Sequence, residues 1–377
     1  MSKKAKAEEH DEVFEYFKKE LDADEIDKVE SFISTGSTLL DYAIANKPNG
    51  GVPVGRITEI AGGEASGKSL LAYHIMANTQ KRGGIAVYID TERAVNNEFL
   101  RRMGVDTTPG KFIKPKKTPG SIEEVFEYIE KVVMHTRLKF PEKNRLVTVT
   151  WDSVAATPGK EELEVAYIDT PRMGAEARAM SRSLRKTMDA MDAGYVTLVC
   201  INQLREKIGI SWGDSDITPH GKALPFYSSV RIKLKSIGQI KVKDGKADMT
   251  VGVSTRAKVY KNKVGPNWRE VEFPLMYDFG VADEVSWLEF MKKLEFVKVS
   301  GAWSVLNVNG TEHSFQGSSG WKELLKKEDV KKFVLDAIET KMVRKFDRKP
   351  DELDIDAESL LEVEQLKSDL EKRDKIV

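Results

Sequence analysis

The run Gly62-Gly63-Glu64-Ala65-Ser66-Gly67-Lys68-Ser69 fits the pattern G-x-x-x-x-G-K-[ST] without a gap. A glycine-rich turn at a helix N-terminus points backbone N–H groups inward, where a nucleotide's phosphates need them. Lys68 would reach the β- and γ-phosphates, and the Ser69 hydroxyl would hold Mg²⁺. In a chain of this length a chance match is on the order of one in a hundred at average glycine usage. Three further polar groups stand at strand ends downstream. Val147-Thr148-Val149-Thr150-Trp151-Asp152 is an apolar strand closing on an aspartate, the form of a Walker B segment whose carboxylate positions Mg²⁺. Glu92 follows the apolar run 85–90, where a carboxylate can polarise an attacking water and take its proton. Read from the residues alone, Glu92 is equally a surface glutamate opening a helix. Asn202-Gln203 ends another apolar run, and an amide there can contact a γ-phosphate and pull on the segment C-terminal to it.

That segment, residues 204–220, holds glycines, charges and a lone Trp212. A long loop inside a domain is usually functional or disordered. Trp212 beside Arg205 and Lys207 suits stacking on bases while the cations meet phosphates. A Trp folded back into the core is the other reading. A second polar loop, residues 160–172, leaves the Asp152 strand on the same side.

These residues need a scaffold, and the pattern around them supplies one. A strand at 55–61 precedes the glycine-rich turn and a helix at 68–81 succeeds it. Strands at 85–90, 146–151 and 195–202 alternate with helices at 97–103, 121–138 and 174–191. Such alternation predicts an α/β fold with a mostly parallel sheet covered by helices on both faces. Its ligands lie beyond the carboxyl ends of the strands. From 229 onward strands succeed one another without helices (229–234, 249–258, 269–275), which predicts an antiparallel extension. Residues 8–21 carry a helical stripe of Val13, Phe14, Phe17 and Leu21, and Ser34-Thr35-Gly36-Ser37 caps a helix. Beyond 281 a helix at 284–294, a hairpin at 296–307 and a helix at 321–343 predict a small α/β C-terminal domain. From 351 the chain is acidic and free of aromatics, with one amphipathic stretch near 359–370 set against disorder. The expected organisation is an N-terminal helical arm for oligomerisation (1–33), a core (34–280), the small domain (281–345) and an acidic tail (346–377).

The 377 residues are 40% hydrophobic and 32% charged, which suits a globular chain with a sizeable core. No run of eighteen apolar residues occurs and the first thirty residues are charged, so neither a membrane span nor a secretory signal is expected. The single cysteine, Cys200, lies in an apolar run, which excludes a disulfide and fits a reducing, cytoplasmic setting. Net charge is zero but unevenly placed. Residues 1–30 carry 6 Lys/Arg against 11 Asp/Glu, residues 349–377 carry 5 against 10, and residues 31–348 carry 49 against 39. A basic body between acidic ends fits a polyanion binder whose ends compete for its surface. Ordinary solvated charge fits as well.

Several co-linear segments resemble the RecA-type homologous recombinases, in the manner of a divergent or phage member. The resemblance covers about residues 34–303. It is carried by Ser34-Thr35-Gly36-Ser37, the glycine-rich turn, Asp90-Thr91-Glu92, Asp152-Ser153-Val154-Ala155-Ala156 and Asn202-Gln203-Leu204-Arg205-Glu206-Lys207-Ile208-Gly209. Ala223-Leu224-Pro225-Phe226-Tyr227-Ser228-Ser229-Val230-Arg231, Lys258-Val259-Tyr260-Lys261-Asn262-Lys263 and Gly301-Ala302-Trp303 continue it. The resemblance implies a DNA-dependent ATPase using ATP and Mg²⁺, active in recombination and repair. It would form a helical homo-oligomeric filament on single-stranded DNA and pair it with homologous duplex DNA. Single-strand-binding and mediator proteins would be its further partners. Glu92 would be the general base, Gln203 the γ-phosphate sensor, and residues 160–172 and 204–220 the DNA-binding loops. Lys261 and Lys263 would reach a neighbour's nucleotide in the manner of an arginine finger. Met173, Arg178, Arg205, Lys207, Ile208 and Trp212 would contact DNA, with Lys235, Arg256 and Lys258 as a second, duplex-binding surface. Phe99 stands where the family usually has an adenine-stacking Tyr, Asn96 replaces an acidic residue near the adenine, and Trp212 replaces a Phe. A ring helicase or repair ATPase on the same core is the first alternative, and an ATP-regulated scaffold without nucleic acid the second.

Overall fold

The computed structural model describes residue 29 and residues 31–140, 145–164, 174–193, 195–206, 216–244 and 247–344. Residues 1–28 and 30 of the expected arm, Met173, Lys207, Ile208, Trp212 and the acidic tail lie outside the described residues, and the arm's last residues, Phe32–Ile33, are strand instead of helix. The first half runs β1 (Phe32–Ile33), α1 (Thr38–Ala45), β2 (Val52–Pro53), β3 (Ile57–Gly62), α2 (Lys68–Lys81), β4 (Ile85–Asp90), α3 (Asn97–Arg102), β5 (Phe112–Ile113), α4 (Ile122–Lys139) and β6 (Val147–Asp152). After a 3₁₀ turn at Val154–Ala156 come α5 (Lys160–Glu164), α6 (Ala175–Ala193), β7 (Val196–Gln203), β8 (Arg205–Glu206), β9 (Asp216–Ile217) and α7 (Ala223–Tyr227). Next come β10 (Val230–Asp244), β11 (Ala247–Asn262), β12 (Arg269–Met276) and β13 (Gly280–Val281). The last elements are α8 (Asp283–Lys293), β14 (Val297–Ser300), β15 (Trp303–Val308), β16 (Thr311–Phe315), α9 (Gly317–Leu324) and α10 (Glu328–Met342).

Nine strands form one sheet in the order β13-β12-β11-β10-β3-β7-β6-β4-β5. The run from β10 to β5 is parallel, and β10 to β13 pair antiparallel, the mixed architecture that the alternation pattern implies. β3, β6 and most of β7 are buried along their length, as central parallel strands covered on both faces must be. α4 starts on an N-cap, Ser121, whose hydroxyl accepts from the Glu124 N–H. Its Ile122, Val125, Phe126, Ile129 and Val133 recur at helical spacing and are buried. They join Val149, Trp151, Leu184 and Leu198 in the core, with Phe126 and Trp151 edge to face at 5.6 Å. The described residues up to Met342 pack as one unit.

Four further features differ from the sequence expectation. Residues 160–164 of the first polar loop are helical. The second loop is closed at its base by the antiparallel pair β8–β9, with Arg205 opposite Ile217. β10 and β11 run to 15 and 16 residues, because beyond the sheet they continue as a two-stranded ribbon with shifts of register near Ser236 and Ile240. The C-terminal region holds three strands, and its last helical stretch is two helices broken after Leu324.

Candidate nucleotide-binding site

β3 ends on Gly62, directly opposite Gln203 at the end of β7. A Cβ on Gly62 would lie 2.5 Å from the Leu234 carbonyl oxygen, so the close approach of β10 requires glycine here. Ala65 and Gly67 take positive φ (52° and 92°), which curls the turn so that successive amides face one hollow before α2 begins. The Ser66 hydroxyl donates to the Gly63 carbonyl at 2.9 Å and Thr255 Oγ1 donates to the Ser66 carbonyl at 3.3 Å, bracing the turn from β11. Nothing stands within 4 Å of a Cβ built on Gly63, so the mouth of the hollow is open.

Two polar side chains of α2 face that mouth. Lys68 Nζ donates to the Gly63 carbonyl at 2.6 Å, and Ser69 Oγ donates to Asp152 Oδ2 at 2.9 Å. Asp152 is buried at the end of β6 and also accepts from the Tyr88 hydroxyl at 2.9 Å, which in turn lies 3.2 Å from that of Tyr73. Burial raises the Asp152 pKa against these two hydrogen bonds. Glu92 is exposed just beyond β4, and the Ser153 hydroxyl donates to it. Its segment is held from behind by the buried Asp90 carboxylate, which accepts from the Ala94 and Val95 amides and pairs with Lys114 at 2.9 Å. Burial lowers the Lys68 pKa, while the charges of Asp152, Glu92 and Glu64 oppose it. This donor set fits a hard divalent cation: a hydroxyl and a carboxylate already 2.9 Å apart. Among the described residues no three-ligand His, Cys, Asp or Glu cage occurs, so the remaining ligands would be phosphate and water.

On the other flank Gln203 is exposed at the strand end, with its N–H on Asn202 Oδ1 at 3.0 Å. Asn202 Nδ2 donates to Glu59 Oε1 at 2.9 Å. Glu59 is fully buried in β3 and ion-paired with Arg231 of β10, whose guanidinium also stacks on Tyr260 at 4.6 Å and reaches Thr218 at 3.4 Å. One buried carboxylate thus joins the Gln203 strand, the end of the 204–220 segment and the strand facing Lys261. Lys261 lies opposite Arg231 in the ladder and donates to the carbonyls of Pro225 and Phe226 at 2.6 and 2.7 Å. Lys263 is exposed. Phe99 is half-buried in α3, edge to face with Tyr73 at 6.0 Å. Asn96 caps α3, its Oδ1 accepting from the Phe99 N–H at 2.8 Å.

The structure therefore gathers Gly62–Ser69, Glu92, Asp152 and Gln203 at one edge of the sheet. Lys261 and Lys263 stand on β11 and just beyond it, separated from β3 by β10. Arg178 is exposed in the first turn of α6, past the 160–172 loop, and Lys235 is exposed on β10. Arg256 lies across the ladder from Lys235. Arg256 is paired with Glu272 at 2.7 Å and Lys258 with Glu270 at 2.9 Å, so both cations already have carboxylate partners. Sequence reasoning missed Tyr88, Ser153, Glu59 and the His220–Glu176 pair. Tyr88 is the inward residue of a strand beside the Asp152 strand and left a faint signal; the others act through contacts across the fold and left none.

A profile of the RecA N-terminal domain matches residues 17–282. The chain is 40% identical over 294 residues to Protein RecA of Rubrobacter xylanophilus, covering 78% of this chain and 79% of that one. It is 39% identical over 298 residues to Protein RecA of Chlorobaculum tepidum, covering 79% and 80%. With Protein RecA of Bifidobacterium breve it shares 40% over 271 residues, 72% of this chain and 64% of that one. With a profile match over residues 17–282 and about 40% identity across most of both chains, the chain belongs to the RecA family of recombinases.

Proposed function

We propose that the chain binds ATP with Mg²⁺ at the Gly62–Ser69 turn, hydrolyses it in response to single-stranded DNA, and works as a helical filament that pairs that strand with homologous duplex. The observation that carries this is the ladder pairing of Gly62 with Gln203, which puts the phosphate turn one strand from the base of the 204–220 segment. Ser69 and Asp152 would hold the metal, which when bound withdraws charge from the phosphate oxygens. Lys68 would neutralise charge on the same phosphates. Glu92, exposed on a segment fixed by Asp90, accepts the proton of the attacking water. Gln203 contacts the terminal phosphate and passes its presence to the segment beyond it. Lys261 and Lys263 complete the neighbouring molecule's site. Residues 160–172 and 204–220 hold the single strand, with Arg178, Arg205, Lys207, Ile208, Met173 and Trp212 at their contacts, and Lys235, Arg256 and Lys258 receive the duplex. Each ligand strengthens the other by the same factor, because affinity linkage is reciprocal.

Strand exchange between a single-stranded circle and a homologous linear duplex tests the whole reading. Joint molecules requiring ATP and homology are expected; their absence in the presence of ATP overturns it. Electron microscopy of the same mixture separates the filament from a ring helicase, since closed rings would exclude an open helix.

A further inference from the structure

His220 closes the 204–220 segment in a left-handed backbone conformation (φ 63°), with Gly221 next at φ 80°. Histidine adopts that conformation more readily than most side chains, and here the ring is also anchored. The His220 side chain is 5% exposed, with Nε2 2.9 Å from the Val154 carbonyl oxygen and Nδ1 2.9 Å from Glu176 Oε2. Val154 stands two residues past Asp152, and Glu176 lies in the first turn of α6, where the chain leaves the 160–172 loop. One imidazole therefore ties the bases of both loops to the exit of the Asp152 strand.

The geometry fixes the proton count. A carbonyl oxygen only accepts, so Nε2 carries a hydrogen. Nδ1 then faces a carboxyl oxygen, and two lone pairs at 2.9 Å repel. A proton must sit between them, as imidazolium beside carboxylate or as neutral imidazole beside carboxylic acid. Both forms hold one proton more than the separated neutral ring and carboxylate. Among the described residues lining the two cavities that flank the ring, the other titratable group is Glu162 of α5. The turn carrying Val154 has none, and Arg178 and Lys222 are the nearest cations in sequence. Burial pushes Glu176 up, but the Glu162 hydrogen bond, the charge and hydrogen bond of His220 and the Gly159 backbone outweigh it and leave its pKa lowered, while the hydrogen bond to Glu176 raises the pKa of Glu162.

We infer that His220 and Glu176 are positioning residues whose shared proton holds the two DNA-binding loops in register, so that losing this proton weakens the binding of single-stranded DNA. The inference rests on the reading of 160–172 and 204–220 as DNA-binding segments. Because the tied state holds the extra proton, affinity falls as pH rises. Glu176→Gln separates the tie from its proton, since a glutamine N–H donates to the bare Nδ1 of a neutral ring.

The test measures single-stranded DNA affinity at constant salt, with a non-hydrolysable ATP analogue, from about pH 6 to about pH 9. The chain as it stands, Glu176→Gln and His220→Ala are compared, alongside ¹⁵N NMR of the His220 ring at neutral pH. The unaltered chain is expected to lose affinity by up to about tenfold per pH unit at the alkaline end, the slope of one proton. Glu176→Gln should keep its affinity there, and His220→Ala should bind weakly throughout. Equal slopes in the unaltered chain and Glu176→Gln overturn the proposal, as does a ring spectrum with a bare Nδ1. A spectrum showing the shared proton with no DNA binding at any pH brings down the functional reading itself, and the loop role with it.

Discussion

At the scale of the residue, Lys261 shows how burial sets chemistry. Its ammonium rests on two backbone carbonyls of α7, and burial first, then Lys263 and Arg231, lower its pKa to about 8 against the pull of Glu59. The charge is therefore present below about pH 8 and lost as pH rises through it. If this ammonium completes a neighbour's site, DNA-stimulated ATP hydrolysis falls over that range, and Lys261→Arg, charged throughout, holds its rate to higher pH. Matching pH–rate profiles for the two chains would remove Lys261 from the site. Glu92 poses a cleaner case, because it is exposed and accepts a hydrogen bond from the Ser153 hydroxyl. Glu92→Gln is expected to lower kcat about 100-fold or more in a phosphate-release assay while DNA-bound polymers still assemble with ATP. Turnover at the ordinary rate would exclude Glu92 as the base.

At the scale of the element, the phosphate turn depends on one backbone conformation. Gly67 holds φ 92° at the start of α2, and a Cβ there would lie 2.0 Å from Leu275 Cδ1. Leu275 can rotate away, but the left-handed backbone penalises any larger residue by about 1–2 kcal/mol. Gly67→Ala is expected to lower stability by that amount in urea and to abolish binding of a fluorescent ATP analogue; undiminished binding would show that the turn tolerates the change. Elements of this kind were legible in the sequence because each carries its own local signature. The glycine spacing, the buried strands and the Ser37 cap of α1 all announced themselves. The features that stayed hidden arise between elements. The β10–β11 ribbon outruns the sheet because cross-strand pairing with register shifts sustains it without a continuous apolar face. Glu59 reads as an ordinary polar residue in a strand until β7 and β10 close over it. The same holds for His220, whose partners lie 44 and 66 residues away.

At the scale of the whole molecule, charge is distributed so that residues 31–348 are basic and residues 349–377 carry a net −5. Deleting residues 351–377 is expected to tighten duplex DNA binding several-fold at low salt, with the gain shrinking as salt rises. An unchanged salt titration would show that the tail does not compete for the basic surface. The great sheet bears on assembly in a different manner. Its two outermost strands, β5 and β13, are two residues each, so neither rim offers an incoming chain a useful row of unpaired amides and carbonyls. Short rims of this sort discourage strand-to-strand fusion of the amyloid type. In the assembly proposed above, contacts between copies would then not run through strand addition at these two rims, and a stack held by side chains could be dismantled and its parts used again.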